Sequence, residues 1–266
     1  MVEENTHTGQ WAIILGASSG LGLATAKKLA SHGMNLCLIF RERRSEIAAI
    51  EKVFDTIKHT HKIELVYHNI DAVKEENRRR VLEHLKETLG LEGRLKVLVH
   101  SIAKGNLKPM YAEDGATLQN DDFRLTINSM AISLYDWTKD ILNYNLFSKD
   151  ARIISFTSEG NAKAWPNYAA VSAAKVTLEA ITRNMALEFA PLGIKANCIQ
   201  AGVTDTASFR MIPGSEIIRK NTLLRNPNRR MTTPEDVAAV VYLLTRKEAQ
   251  WITGTIIPVD GGEHLS

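Results

Sequence analysis

The sequence offers little sulfur chemistry: two cysteines in 266 residues, Cys37 in "NLCLIF" and Cys198 in "KANCIQ", both inside apolar, strand-like runs. Such settings favour buried reduced thiols over a disulfide framework and imply a reducing, cytoplasmic setting. No apolar run approaches the roughly 20 residues of a membrane helix, and "MVEENTHTGQ" is too polar and acidic for a signal peptide, so no membrane partner is expected. Charge of one sign is scarce too. Lys and Arg number 33 against 30 for Asp and Glu, and a net +3 gives no reason to expect nucleic acid. The basic runs Arg78-Arg79-Arg80 and Arg229-Arg230 stand among acids and read as solvated faces. Metal-ligand spacing is also missing. "HTH" at 59–61, in an expected loop, has no carboxylate or cysteine set beside it, and His100 reads as a packed strand-end residue rather than a base.

What is present is an alternation of strand and helix patterns from end to end. Apolar runs at 11–16, 35–40, 63–70, 95–102, 151–158, 194–201 and 254–260 predict strands. Helical patterns fall at 21–32, 45–58, 74–89, 120–147, 165–190 and 233–245. Strands separated in this way form a parallel sheet with right-handed crossovers, so the expected fold is α/β, a Rossmann-like doubly wound sheet of about seven strands with helices on both faces. No repeat or Pro/Gly-rich linker divides residues 1–266, and one domain is expected. Residues 203–230 lack clear periodicity and follow the sixth strand at the carboxyl edge, where open α/β sheets bind ligands. That stretch is expected to be a substrate lid.

"GASSGLG", Gly16 to Gly22, lies between the first strand and first helix. Glycines there allow a tight turn and let backbone approach a pyrophosphate, whose charge meets the helix N-terminal amides, while Ser18 and Ser19 add hydroxyl donors. A dinucleotide is the expected ligand. At the end of the second strand, "IFRERR" puts Phe40 where an NAD-preferring fold carries an acid, with Arg41 directly after. An arginine there can pair with a 2′-phosphate, so NADP(H) is expected over NAD(H), although Glu42 opposes it.

Together these motifs resemble the short-chain dehydrogenase/reductase family over nearly the whole chain. "GASSGLG" resembles its glycine turn, which implies cofactor contacts at Gly16, Ser18, Ser19, Gly20, Leu21 and Gly22. Asp71 in "NIDAV", with Ala72, resembles its adenine pocket; Asn128 in "LTINSMA" resembles its active-site asparagine; "RMTTPEDVA" and "ITGTIIPVDGG" resemble its C-terminal segments. Within the family, "VHSIA" at 99–103, "WPNY", "IQAGVTDT" at 199–206 and a Tyr-x6-Lys spacing at Tyr168–Lys175 are similar to bacterial enoyl-acyl-carrier-protein reductases. The best-known type of these has a different glycine turn and a second tyrosine ten residues before the catalytic one, where this chain has Ser158. The combination is similar to the NADPH-dependent third type. The resemblance implies that Ile102, Thr204 and Thr206 meet the cofactor, that Asn128 organises a water chain to Lys175, and that the protein is a homotetramer. It also implies an acyl thioester substrate on acyl carrier protein.

The more common family spacing is Tyr-x3-Lys, which would need a tyrosine where Val171 stands. On a helix, separations of four and seven leave residues roughly 40° and roughly 20° apart, so both share a face, but the axial gap is about 6 Å against about 10.5 Å. A tyrosine displaced outward suits an enoyl thioester, where charge develops on an oxygen two bonds farther from the hydride acceptor than in a ketone. Lys175 would hold the ribose and lower the Tyr168 pKa, with Ser158 binding the substrate carbonyl or positioning Tyr168. Tyr135 and Lys139 have the four-residue spacing but follow Asn128 rather than the fifth strand, and read as a surface or interface face. Reduction of a carbon–carbon double bond leads; a carbonyl or 3-oxoacyl reductase and a non-catalytic nucleotide sensor stay open. Arg210, Arg219, Lys220, Arg225, Arg229 and Arg230 crowd the expected lid, either as a dock for an acidic carrier protein or as a solvated loop.

Overall fold

The computed structural model describes residues 7–91 and 93–266; most of the polar N-terminal stretch lies outside them. In chain order the elements are β1 (Trp11–Leu15), α1 (Gly20–Ser31), β2 (Asn35–Phe40), α2 (Arg44–His61), β3 (Leu65–Asn69), α3 (Glu75–Leu89), β4 (Leu95–His100) and α4 (Asn120–Ile127). There follow α5 (Ser133–Asn143), β5 (Phe147–Ser158), α6 (Ala169–Glu188), β6 (Lys195–Ala201), α7 (Ala207–Arg210), α8 (Ser215–Arg225), α9 (Pro234–Thr245) and β7 (Ile256–Val259). The seven strands form one sheet in the order β3-β2-β1-β4-β5-β6-β7, and every pairing is parallel.

The strand sequences explain why both sheet faces are covered. "WAIIL" of β1 is buried at every position, as expected for a parallel strand between two helical layers. Side chains alternate between the layers. Trp11, Ile13, Leu15, Leu98 and Ile153 meet Leu82, Trp137 and Leu178 on one side. Ala12, Ile14, Val97, Val99 and Ile154 meet Leu29, Phe54, Val237 and Val241 on the other. The sheet reverses its winding between β1 and β4, which opens a crevice at their carboxyl ends.

Four sequence expectations need correction. The helix expected over 120–147 is broken: Asn128–Ile132 forms a π turn between α4 and α5, and α5 ends at Asn143. Directly after that turn Ser133 Oγ donates back to the Ser129 carbonyl at 2.8 Å and meets His100 Nε2 at 2.7 Å, side-chain bonding of the kind that accompanies π bulges. Asn145, at φ +53, turns the chain into β5, which starts at Phe147 rather than 151. Residues 203–230 carry α7 and α8 rather than an irregular loop, and His59 and His61 lie in the last turn of α2.

Trp137 is fully buried, and its Nε1 donates to the Ala72 carbonyl at 2.8 Å, tying α5 to the turn after β3. Trp137→Ala is expected to cost about 3–5 kcal/mol, read as a lower urea midpoint in equilibrium unfolding.

Candidate active site

The crevice holds a cavity of about 480 Å³. Its floor is set by the turn after β1. Gly16 leaves the strand at φ +82, and a Cβ there would overlap the Ser101 carbonyl, so backbone geometry and close approach both require glycine. Ser19 is the N-cap of α1 with no side-chain cap bond, and the first helical hydrogen bond runs from Leu23 N to the Ser19 carbonyl. The amides ahead of Leu23 therefore have no acceptor within α1 and are suited to an anion. Gly16, Ser18, Ser19, Gly20 and Leu21 all line the cavity. Gly22 does not; a Cβ on it would overlap the Gly16 carbonyl, so its smallness serves turn packing instead.

At the other end of this subsite Arg41, Asp71 and Ala72 line the wall. Arg41 Nη1 and Asp71 Oδ2 lie 2.6 Å apart in a partly exposed ion pair. Glu42 shares the wall and accepts from Ser18 Oγ at 2.9 Å, a carboxylate fixed beside the phosphate turn. Opposite, Thr204 is buried and its carbonyl accepts from Thr206 N at 2.8 Å, while the Thr206 side chain caps α7 and its methyl faces Gly20. Ile102 completes this part of the lining. These features fit a nicotinamide dinucleotide: donors for a pyrophosphate, a polar wall for a ribose and an apolar shelf.

The inner end carries the candidate reactive groups. Ser158 ends β5 and its Oγ lies 3.4 Å from Tyr168 Oη. Tyr168 is not inside a helix as expected. It is the N-cap of α6, at φ −107 and ψ 0, after Pro166 and a left-handed Asn167 at φ +64. Proline disfavours helix at the residue before it, and the reversed φ at Asn167 delays the helix start by one more position. The separation on one face is thus replaced by direct packing: the Tyr168 ring lies against Gly160, where a Cβ would approach its Cε1 to 2.5 Å. Burial pushes the Tyr168 hydroxyl up, and the Ser158 hydrogen bond opposes this. Lys175 is not among its influences, which corrects the expectation that Lys175 lowers it. Lys175 is itself buried, donates to the Phe156 carbonyl at 2.6 Å, and is pulled down to about 8 by desolvation, against Cys198 and Glu179.

Val171 stands where the common tyrosine would be. It packs with Met130, Tyr168 and Ala174 and presses on Gly105, where an added Cβ would come within 2.8 Å of its methyl. Leu107, Trp165, Phe209 and Ile212 extend this apolar wall. Sequence periodicity gives no sign of Gly105 and Leu107, because they lie in the unstructured run between β4 and α4.

Asn128 departs from expectation. Its side chain is exposed, lies outside the main cavity and lines a separate shallow groove with Phe123 and Arg124. The π turn that begins at Asn128 alters the helical phase there. Tyr135 and Lys139 also lie outside the cavity, with the Lys139 ammonium 5.8 Å from the Tyr135 ring centre. His100 is buried and held near 3 by desolvation and by Lys175, so it is neutral and no base at working pH.

A family model described as Enoyl-(Acyl carrier protein) reductase matches residues 16–264. The chain belongs to the short-chain dehydrogenase/reductase family. It is an oxidoreductase by kinship. It is 30% identical to oxidoreductase UcpA of Salmonella typhimurium, covering 97% of this chain and 95% of that one. It is 28% identical to the 3-oxoacyl-[acyl-carrier-protein] reductase FabG of Pseudomonas aeruginosa, over 97% and 98%. Among solved structures, the enoyl-[acyl-carrier-protein] reductase (NADH) of Aquifex aeolicus superposes with a TM-score of 0.84 at 25% identity, over 97% of this chain and 98% of that one. Among family members the cleft is thus a nicotinamide site, and no helix among the described residues is long and apolar enough to cross a membrane.

The placement of Asn128 makes a direct prediction. Asn128→Ala should keep turnover within about two-fold, whereas Lys175→Ala, which empties a buried position beside the cavity, should lose it by about 10² or more; steady-state kinetics of the two variants separates them.

Proposed function

We propose that the protein reduces the carbon–carbon double bond of an enoyl thioester, with NADPH as the preferred cofactor, and that it works in the cytoplasm. The observation that carries this reading is the hydroxyl's place: Tyr168, not position 171, presents it to the cavity, and Val171 fills the alternative position against Gly105. When bound, the dihydronicotinamide supplies a hydride to the β-carbon. Tyr168 donates a hydrogen bond to the thioester oxygen as negative charge develops there, the α-carbon then taking its proton from solvent. Its raised pKa keeps the hydroxyl protonated for that role. Ser158 steadies the hydroxyl from 3.4 Å. Lys175 binds the ribose hydroxyls, and Leu107, Trp165, Phe209 and Ile212 cover the acyl chain and exclude water.

NADPH is supported by Arg41 on the ribose wall, which can exchange its Asp71 partner for a 2′-phosphate. Glu42 on the same wall works against it, so the preference is expected to be finite. The carrier-protein reading has a narrower base than the sequence implies. Arg210 and Arg219 pair with Asp205, Arg225 with Glu159, and Arg230 with Asp236. Lys220 and Arg229 remain as the lid cations best suited to an acidic carrier. A homotetramer is supported by the exposed Leu125, Tyr135, Val176 and Leu187 on α4, α5 and α6, an apolar face for a second copy. Light scattering at four times the monomer mass is the expected outcome.

A second reading, reduction of a 3-oxoacyl thioester, is favoured by the Ser158–Tyr168 contact, which could serve a ketone oxygen equally. One assay series distinguishes the two. NADPH oxidation is expected with crotonyl thioesters and not with acetoacetyl thioesters, with a lower Michaelis constant for NADPH than for NADH. Tyr168→Phe should lower kcat by about 10² or more. Lys220→Glu with Arg229→Glu should raise the Michaelis constant for carrier-linked but not coenzyme A substrates. Activity on acetoacetyl thioesters alone would replace the first reading with the second.

A further inference from the structure

Three consecutive residues at the end of β5 are each held by the segment 168–179. The Phe156 carbonyl accepts from Lys175 Nζ at 2.6 Å, and Ser158 Oγ lies 3.4 Å from Tyr168 Oη. Between them, Thr157 Oγ1 donates to Glu179 Oε1 at 2.5 Å. The outer two contacts involve groups of the proposed reaction. The middle one ends on a carboxylate that the reaction does not use.

Glu179 is only 6% exposed. The same carboxylate oxygen also accepts from Asn161 Nδ2 at 2.5 Å. Thr157 and Asn161 bracket Ser158, so one oxygen ties both ends of the turn from which Ser158 reaches Tyr168. Glu179 also lies four residues after Lys175 on α6, one turn along the same face. A carboxylate in such a place is costly unless it is bonded and balanced by charge, and a leucine or alanine would pack there without that cost.

His100 on β4, Cys198 on β6 and Glu179 on α6 interact electrostatically with Lys175, and Tyr168, at the head of α6, lines the same cavity. Burial keeps His100 uncharged near 3 and pushes the Cys198 thiol and the Tyr168 hydroxyl up. None of these three offers the ammonium a balancing charge near neutral pH. The Glu179 carboxylate does.

We propose that Glu179 is a positioning residue of this site: through Thr157 and Asn161 it holds the turn that carries Ser158, and its charge keeps the buried Lys175 ammonium protonated for the cofactor ribose. The proposal deepens the reductase reading and rests on it for the roles of Ser158 and Lys175.

The test uses Glu179→Gln, which keeps an oxygen to accept from Thr157 and Asn161 but removes the charge. NADPH binding, read by nicotinamide fluorescence, and kcat/KM are followed from pH 6 to pH 9. Lys175 is cationic below its pKa, so losing the carboxylate should move the alkaline limb to lower pH. The expected loss is about five-fold at pH 8 and less than about two-fold at pH 6. Glu179→Asp, which keeps the charge, should restore the alkaline limb. Thr157→Val should lower turnover with that limb unmoved. An equal loss at every pH in Glu179→Gln, or no loss at pH 8, overturns the electrostatic role. Unchanged turnover in Thr157→Val overturns the holding role. If Glu179→Gln does not fold, the comparison of Glu179→Asp and Thr157→Val with the wild type still decides the latter. Cofactor binding needs no substrate, so failure to reduce either thioester would count against the reductase reading while leaving the pH dependence of binding to judge Glu179.

Discussion

The Lys175 ammonium is buried against the Phe156 carbonyl at the tip of β5, and burial draws its pKa down to about 8 against the opposing pull of Cys198 and Glu179. A charge in that place is unfavourable unless its surroundings are fixed around it. Much of the cleft can be understood as that fixing. The end of β5 is bonded to α6 at three successive residues, 156, 157 and 158. The strand is in turn locked between β4 and β6. Under the proposed function, this carboxyl edge sets both a cation for the cofactor and a hydroxyl for the substrate, which is the preorganisation that charge stabilisation requires.

The segment that carries α7 and α8 is tied to the same edge. Arg225, at the end of α8, donates to Glu159 at 2.7 Å, the residue directly after Ser158, and to the Glu263 carbonyl at 3.0 Å. Glu263 in turn accepts from Thr222 Oγ1 and from Val203 N. The segment after β6, α8 and the C-terminal turn are therefore coupled to the loop that follows Ser158. Four of the cations that the sequence places in this region, Arg210, Arg219, Arg225 and Arg230, are engaged in internal ion pairs, while Lys220 and Arg229 are not paired with an acid among the described residues.

The position of Tyr168 is a consequence of local backbone chemistry. Pro166 and the left-handed Asn167 stop α6 from extending backward, so the tyrosine caps the helix. A helix continuing through 168 would have fixed the hydroxyl by helical phase. The cap lets packing against Gly160 and Trp165 fix it instead. Val171 then becomes part of the apolar wall, and Tyr168 and Lys175 line the same cavity although Tyr168 caps the helix instead of lying within it.

Much of the architecture was legible in the sequence because it depends on local, periodic signals. Buried runs such as "WAIIL" specify parallel strands, their alternation with helices specifies the doubly wound sheet, and "GASSGLG" specifies the turn, since Gly16 sits at φ +82 against the Ser101 carbonyl. Ser158, Tyr168 and Lys175, which the sequence grouped, all line one cavity. What it did not determine were features that arise from contacts distant along the chain. The π turn depends on Ser133 meeting His100, 33 residues away, and it leaves Asn128 facing outward. Glu42 on the cofactor wall and Arg41 against Asp71 depend on three neighbouring strands and their turns. Glu179 reads in sequence as one more charge on a helix. Only the fold buries it beneath the Ser158 turn, because burial and pairing are properties of tertiary neighbours and not of the residue.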